Sequence, residues 1–355
     1  MVSVKDLLPG GGKVAGVDIG SSRIKLVELK DTPEGWTLAG FAQVALERGI
    51  IEHGLIRDHD ALVKKIQELF KVARYRGRDV VTALSGHVVM IKKATFRRME
   101  EGELRDFIID EAGEYLPFDD IRDVNFDVHI CDQRENDPGQ MEVVIAAAKK
   151  EVTESYVHAI EKAGSRVAVM DVDSFALETA YGESYDFEPD DIIALVNIGA
   201  SITNINIISD EESVFTRNIM SGGDSVTRIL QKKLDISFEE AEIMKIEEAG
   251  KGGEAGKKIL DYLEPIFSEI GRSFDYCSSA VSGSPIGRIL LSGGCAGIPG
   301  MADVMREKFH CDVELFNPFK NIRYDRDIFS PSYLREAGHI AVVGVGLALR
   351  GADGS

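Results

Sequence analysis

The sequence predicts an α/β protein made of two duplicated halves that face each other across a cleft, with a smaller α+β unit inserted in the first half. Three features carry this expectation. The segment Ala15–Leu29 aligns without gaps to Ala194–Ile208, which marks an internal repeat. Residues 85–168 interrupt the repeat with a strand-helix-strand-strand-helix-strand pattern of their own. A third glycine turn, Ser292-Gly-Gly-Cys-Ala-Gly297, follows an apolar strand near the end of the chain.

Each copy of the repeat reads as an apolar strand, a polar residue, a turn of glycine and hydroxyl residues, and a second β-rich strand. Gly20 and Gly199 give those turns their backbone freedom. The first copy continues into a strand, Trp36–Leu46, and a helix with Leu62, Ile66 and Leu69 on one face. The second continues through Val214–Met220 and Gly222-Gly223 into a helix with Val226, Ile229 and Leu230.

In the inserted unit, strands are expected at Val88–Phe96, Val124–Cys131, Met141–Ala147 and Val167–Met170. One helix carries Leu104, Phe107, Ile108, Ala112 and Tyr115, and another carries Val152, Val157 and Ile160. The turn Asn136–Gly139 separates the two middle strands. Ser237-Phe-Glu-Glu240 is a capping box that opens a helix running to about Ala249. The glycine-rich turn Gly250–Gly256 should end it. A long helix through Ile259, Ile266 and Phe274 follows, with Pro265 as a kink or a restart. The expected units are 1–84 with 169–189, 85–168, 190–225 with 286–355, and 226–285.

The chain has 355 residues, 44% hydrophobic and 28% charged, and a formal charge of 41 − 60 = −19. That acidity argues against nonspecific contact with nucleic acid or an anionic membrane. Cys131, Cys277, Cys295 and Cys311 show no metal-ligand spacing, which suits reduced thiols in a cytosol. The start, MVSVKDLLPGGGK, lacks a signal-peptide core, and the apolar stretch Ile340–Leu349 is about half of a membrane span. A cytoplasmic location is therefore expected.

A triphosphate with Mg²⁺ needs backbone amides, small side chains that let the backbone approach, and a carboxylate for the metal or its waters. Asp18 to Lys25 offers that set: Asp18 for the metal, Gly20, Ser21 and Ser22 for phosphate oxygens, and Lys25 for charge. Gly199, Ala200, Ser201 and Thr203 repeat the turn, preceded by Asn197. Gly222 and Gly223 follow the next strand. Gly293 and Gly294 could let an adenosine lie flat on backbone. Glu242 and Lys245 share one helix face, either as ribose and base contacts or as a surface ion pair. Asp171 and Asp173 either position an attacking water or cap the helix that follows.

Val17-Asp-Ile-Gly-Ser-Ser22 resembles the first phosphate motif of the actin/Hsp70/sugar-kinase superfamily, and Val196-Asn-Ile-Gly-Ala-Ser201 resembles the second. Leu291–Gly297 is similar to the adenosine motif. Val169–Ala176 and His339–Leu349 resemble the two segments that connect the halves. The inserted unit resembles the 1C subdomain shared by the FtsA and PilM families, and the lead-in VAGVDIGSSRIKLVEL is closer to PilM. The chain also stops without the amphipathic membrane helix that FtsA proteins carry.

That resemblance implies an actin-like fold and ATP with Mg²⁺ in the cleft. It further implies a groove between subdomains 1A and 1C for the N-terminal tail of PilN, a partner in the type IV pilus inner-membrane assembly. PilO, PilP and the pilus motor ATPases lie further along the same machine. Where many relatives have Asp in the second motif this chain has Asn197, which cannot act as a base. Slow or absent hydrolysis is expected. An FtsA-like filament and a small-molecule kinase are the rival readings.

Overall fold

The structure, a computed structural model, describes residues 14–111, 115–118, 120–131, 139–188, 191–280 and 284–352. The start of the chain, Ala112 and residues 136–138 of the expected turn lie outside the described residues.

The first half opens with β1 (Val14–Ile19), β2 (Arg23–Lys30) and β3 (Thr37–Ala45), then the short pair β4 (Ile51–Glu52) and β5 (Leu55–Ile56). Helix α1 (His59–Val72) starts where the Asp58 carboxylate accepts a bond from the Ala61 amide, and it buries Leu62, Ile66 and Leu69 at helical spacing. β6 (Asp79–Leu84) then runs parallel to β1. The inserted unit comprises β7 (Val89–Arg97), α2 (Glu101–Asp110), β8 (Val124–Ile130) and β9 (Gln140–Lys149). Its strands form an antiparallel sheet in the order β7-β9-β8. Its core is its own: Phe96, Leu104, Ile108, Val128 and Ile145 pack together apart from the rest.

The insertion is shorter than the sequence suggested. Helix α3 (Lys150–Lys162) packs on the first-half core through Tyr156, Ala159 and Ile160. Strand β10 (Arg166–Val172) pairs with β6 and becomes the edge of the large sheet. These last two elements of the expected β-α-β-β-α-β unit thus serve the first-half core, because their apolar faces match α1 and β6.

After α4 (Asp173–Ser184), the second half repeats the plan with β11 (Ile193–Ile198), β12 (Thr203–Ser209), β13 (Glu212–Ile219) and α5 (Gly223–Leu234). Every residue of β12 is buried, as expected for a central strand covered on both faces. Ser237 opens α6 (Phe238–Gly250) with both bonds of a capping box. The expected glycine turn is only partly a turn, since α7 (Gly253–Asp261) begins within it. The long helix is likewise divided. Pro265 is the second residue of α8 (Glu264–Ala280), where its missing N–H costs nothing. β14 (Arg288–Ser292), α9 (Met301–Phe309) and β15 (Asp312–Leu315) complete a five-stranded sheet in the order β13-β12-β11-β14-β15.

The end of the chain returns to the first half. β16 (Arg323–Tyr324) adds to the edge of β3, completing the six-stranded order β10-β6-β1-β2-β3-β16. Helix α10 (Pro331–Ala352) lies on β1 and β2 and against α4. Residues 323–352, which the sequence placed in the second half, thus pack on the first-half sheet as well as on the second half, where Gly293 N–H donates to His339 O at 2.8 Å. One apolar cluster spans the join, bringing Val81 and Ala83 of one sheet together with Leu195, Ile208 and Leu290 of the other through Leu177, Tyr181 and Leu347. The two helices α4 and α10 thus form the shared floor of both halves.

Candidate functional site

The two hairpins are built alike. In the first, Gly20 N–H donates to Arg23 O at 3.1 Å; in the second, Gly199 N–H donates to Ile202 O at 2.9 Å. Pairing across the strands places Asp18 opposite Lys25 and Asn197 opposite Asn204. Lys25 Nζ lies 2.7 Å from Asp18 Oδ2, and Asn197 Nδ2 donates to Asn204 Oδ1 at 3.2 Å. An ion pair in one copy is thus matched by a neutral amide pair in the other.

The turns meet tip to tip: Ser201 Oγ donates to Ser21 Oγ at 2.8 Å. Between the halves lies a cavity of about 760 Å³. From the first half it is lined by Asp18, Gly20, Ser21, Ser22, Lys25 and Asp173, and from the second by Asn197, Gly199, Ala200 and Ser201. Gly223, Glu242, Lys245, Gly293 and Gly294 complete the wall.

Glycine is required at this wall by contact. A Cβ on Gly293, whose φ is +89°, would meet Asn197 Oδ1 at 2.5 Å, and one on Gly223 would meet Cys295 Sγ at 2.4 Å. Gly294 faces open space, with nothing within 4 Å. Lys245 is 5% exposed, yet its ammonium is paired with Glu242 at 2.7 Å and reaches Thr227 Oγ1 at 3.1 Å. Burial pushes the Cys295 thiol up to about 11, which keeps it an unreactive thiol.

Asp173 is the first residue of α4 and only 4% exposed. Burial foremost, and the Asp18 charge, raise its carboxyl to about 7, against hydrogen bonds from Ser85, the Ser174 amide and Asn204. The cavity therefore holds the Asp18 carboxylate near a second, buried carboxyl that burial makes costly to charge. Such a pair favours a cation between or beside it.

Three of the residues singled out in the sequence are not brought to the cavity. Asp171 is buried against Arg350 Nε at 3.0 Å, on the α10 side of the sheet. Thr203 is fully buried and donates to Ser221 O at 2.8 Å. Gly222 packs on the second turn, where a Cβ would meet Gly199 O at 2.5 Å. The amides of Gly223 and Asp224 are spent on Gly199 O and Ala200 O, so this helix start braces the hairpin.

Sequence reasoning missed Ser85, Asn204, Arg48 and Phe238, all of which line the cavity. The Arg48 guanidinium lies 3.7 Å over the Phe238 ring, a contact between the halves. Its backbone is placed by Leu46 N–H, which donates to Ser22 O at 2.8 Å. Asn204 was legible, since it stands opposite Asn197 in the repeat where Lys25 stands opposite Asp18. Nothing in the sequence marks Arg48 or Phe238.

Among the described residues no helix is long and apolar enough to cross a membrane. The solved structure of a PilM–PilN type IV pilus biogenesis complex superimposes with a TM-score of 0.85 at 27% identity, covering 96% of this chain and 98% of that one. An ethanolamine utilisation protein EutJ of Carboxydothermus hydrogenoformans (TM-score 0.56, 18% identity, 97% and 91% covered) shares the fold. So does MreB5 of Spiroplasma citri bound to AMPPNP (0.52, 14%, 96% of both chains), and the fold is actin-like. The cell division protein FtsA of Enterococcus hirae is 22% identical over 352 residues, 86% of this chain and 78% of that protein. A family profile described as type IV pilus assembly protein PilM matches residues 16–352, and the chain belongs to that PilM family of type IV pilus assembly proteins.

Proposed function

We propose that the protein is an ATP·Mg²⁺-binding scaffold of the type IV pilus assembly machine. In this reading it works in the cytoplasm, at the inner membrane, through a partner like the PilN of the related complex. The observation that carries it is the contact of the two duplicate turns at Ser21 and Ser201, with Asp18 and Asp173 in the same cavity.

The residues fit the nucleotide. Small turns on both sides leave backbone and hydroxyls facing one space, and Gly294 leaves room for a flat group beside Glu242 and Lys245. Among the described residues no cluster of three or more His, Cys, Asp or Glu could cage a metal. Magnesium held through waters, phosphates and one carboxylate needs no such cage. Asp18 is that carboxylate, and Lys25, now bonded to it, is free to turn to a phosphate. The bound metal would neutralise phosphate charge. Asn197, engaged with Asn204 and unable to take a proton, supports slow or absent hydrolysis.

Asp18→Ala is expected to weaken ATP·Mg²⁺ binding by roughly 10- to 100-fold, the ~1.5–3 kcal/mol of a charge-assisted contact, in calorimetric titration. Unchanged affinity would remove Asp18 from the site. Rapid steady-state turnover that Asn197→Ala abolishes would overturn the slow-hydrolysis reading.

The tail of PilN is assigned to the junction between the first-half core and the inserted sheet β7-β9-β8. The test is titration of a PilN N-terminal peptide with and without ATP·Mg²⁺. Tighter binding with nucleotide is expected, and no binding in either condition refutes the partner. PilO and PilP would then be indirect contacts. The FtsA likeness favours filament formation as a second reading, which electron microscopy with ATP distinguishes.

A further inference from the structure

A row of asparagines leaves the cavity along the second sheet. Asn197, Asn204 and Asn218 stand side by side on β11, β12 and β13 through the register of the strands. Asn197 Nδ2 donates to Asn204 Oδ1 at 3.2 Å, and Asn204 Nδ2 donates to Asn218 Oδ1 at 2.6 Å. Asn218 Nδ2 then donates to Gly86 O at 2.9 Å, crossing to the other half. The first two residues line the cavity; Asn218 does not.

Gly86 is the root of the inserted unit, in the 3-10 turn Gly86–Val88 that leads into β7. Its φ is +77°, and a Cβ there would meet Ile202 Cδ1 at 2.6 Å, so the root is pressed against the second hairpin turn. Its neighbour Ser85 lines the cavity and bonds Asp173. Two contacts at Gly86 therefore tie the root of the insertion to the second half, beside the Lys93–Glu212 ion pair at 3.7 Å further along β7, and one of the two is a chain of amides that begins at the cavity wall. A neutral chain suits this task. Each amide donates to the next and accepts from the last, so a change in orientation at one end must be answered at the other.

From this geometry we infer that Asn197, Asn204 and Asn218 are a relay that couples occupancy of the cavity to the position of the inserted unit at Gly86. The inference rests on the nucleotide reading above for what fills the cavity. Asn197, which cannot serve as a base, has a role as the first link. Asn218 acts through Gly86 and is a positioning residue.

Hydrogen exchange of the full chain tests it, with and without ATP·Mg²⁺. In the parent protein the nucleotide is expected to slow exchange both at Gly20–Ser22 and across residues 86–97. In Asn218→Ala the slowing at Gly20–Ser22 remains and that at 86–97 is lost. Without nucleotide, residues 86–97 exchange roughly three- to tenfold faster in the variant, the value of one net hydrogen bond. Asn218→Asp keeps the acceptor for Asn204 and loses the donor to Gly86, and the same loss is expected. Equal behaviour of 86–97 in parent and both variants overturns the relay. Loss with Ala but none with Asp overturns the Gly86 link. Absent slowing at Gly20–Ser22 in the parent protein refutes the nucleotide reading instead, and the nucleotide-free arm still decides the relay.

Discussion

Gly346→Ala is expected to destabilise the protein by about 3 kcal/mol or to prevent folding, although alanine is the better helix former. The added Cβ would lie 1.8 Å from Ala176 O and 2.6 Å from Ala176 C. Both are backbone atoms of α4, so no side-chain rotation relieves the clash, and α4 and α10 must separate. The same helix leaves no slack on its other face: a Cβ on Gly16 would meet Gly344 O at 2.3 Å, and one on Gly344 would meet Val27 Cγ2 at 2.9 Å. Overpacking of a tight interior costs about 1–3 kcal/mol, and this contact is at the severe end. The helix-propensity gain of roughly 1 kcal/mol only partly offsets it. Gly294→Ala is the contrast. With nothing within 4 Å, it should leave the urea midpoint unchanged while its methyl narrows the cavity and weakens nucleotide binding. A Gly346→Ala protein within about 0.5 kcal/mol of the parent would mean that the join between the halves is looser than the packing implies.

The repeat made the two halves and their facing turns legible because a hairpin is a local structure, written in contiguous residues. Even the cross-strand partners follow from the gapless alignment, with Asp18–Lys25 matched by Asn197–Asn204. What the sequence did not reveal depends on long-range packing. α3 and β10 carry apolar faces that suit either the insertion or the first-half core, and only the parallel pairing with β6 decides between them. α10 follows the last strand of the second sheet in the chain, yet its glycines fit Val27 and Ala176 of the first half. Asp171 and Asp173 looked equivalent as two acids at a strand end. One faces Arg350 and the other the cavity, because the chain turns from strand to helix between them. Arg48 and Phe238 meet only once the halves are assembled.

Asp173→Asn is expected to make the nucleotide-free protein more stable above neutral pH and to flatten its pH dependence. The Asp173 carboxyl is raised to about 7 by burial and by Asp18, whereas an unfolded Asp titrates near about 4. Between those values the folded state keeps a proton that the unfolded state has released. Folding stability from this group is therefore complete below about pH 4, falls as pH rises, and is lost above about pH 7. A shift of that size corresponds to about 4 kcal/mol at most, and relaxation of the site reduces it. Asparagine cannot ionise and keeps the oxygen that accepts from the Ser174 amide at 2.8 Å. The difference between variant and parent urea midpoints should grow from pH 4.5 to pH 8 and then level off. With ATP·Mg²⁺ present the order should reverse, because the metal's charge favours the ionised carboxylate that only the parent has. Parallel pH curves for the two proteins without nucleotide would show that Asp173 is ionised in the fold, and the case for a cation-seeking pair with Asp18 would fail.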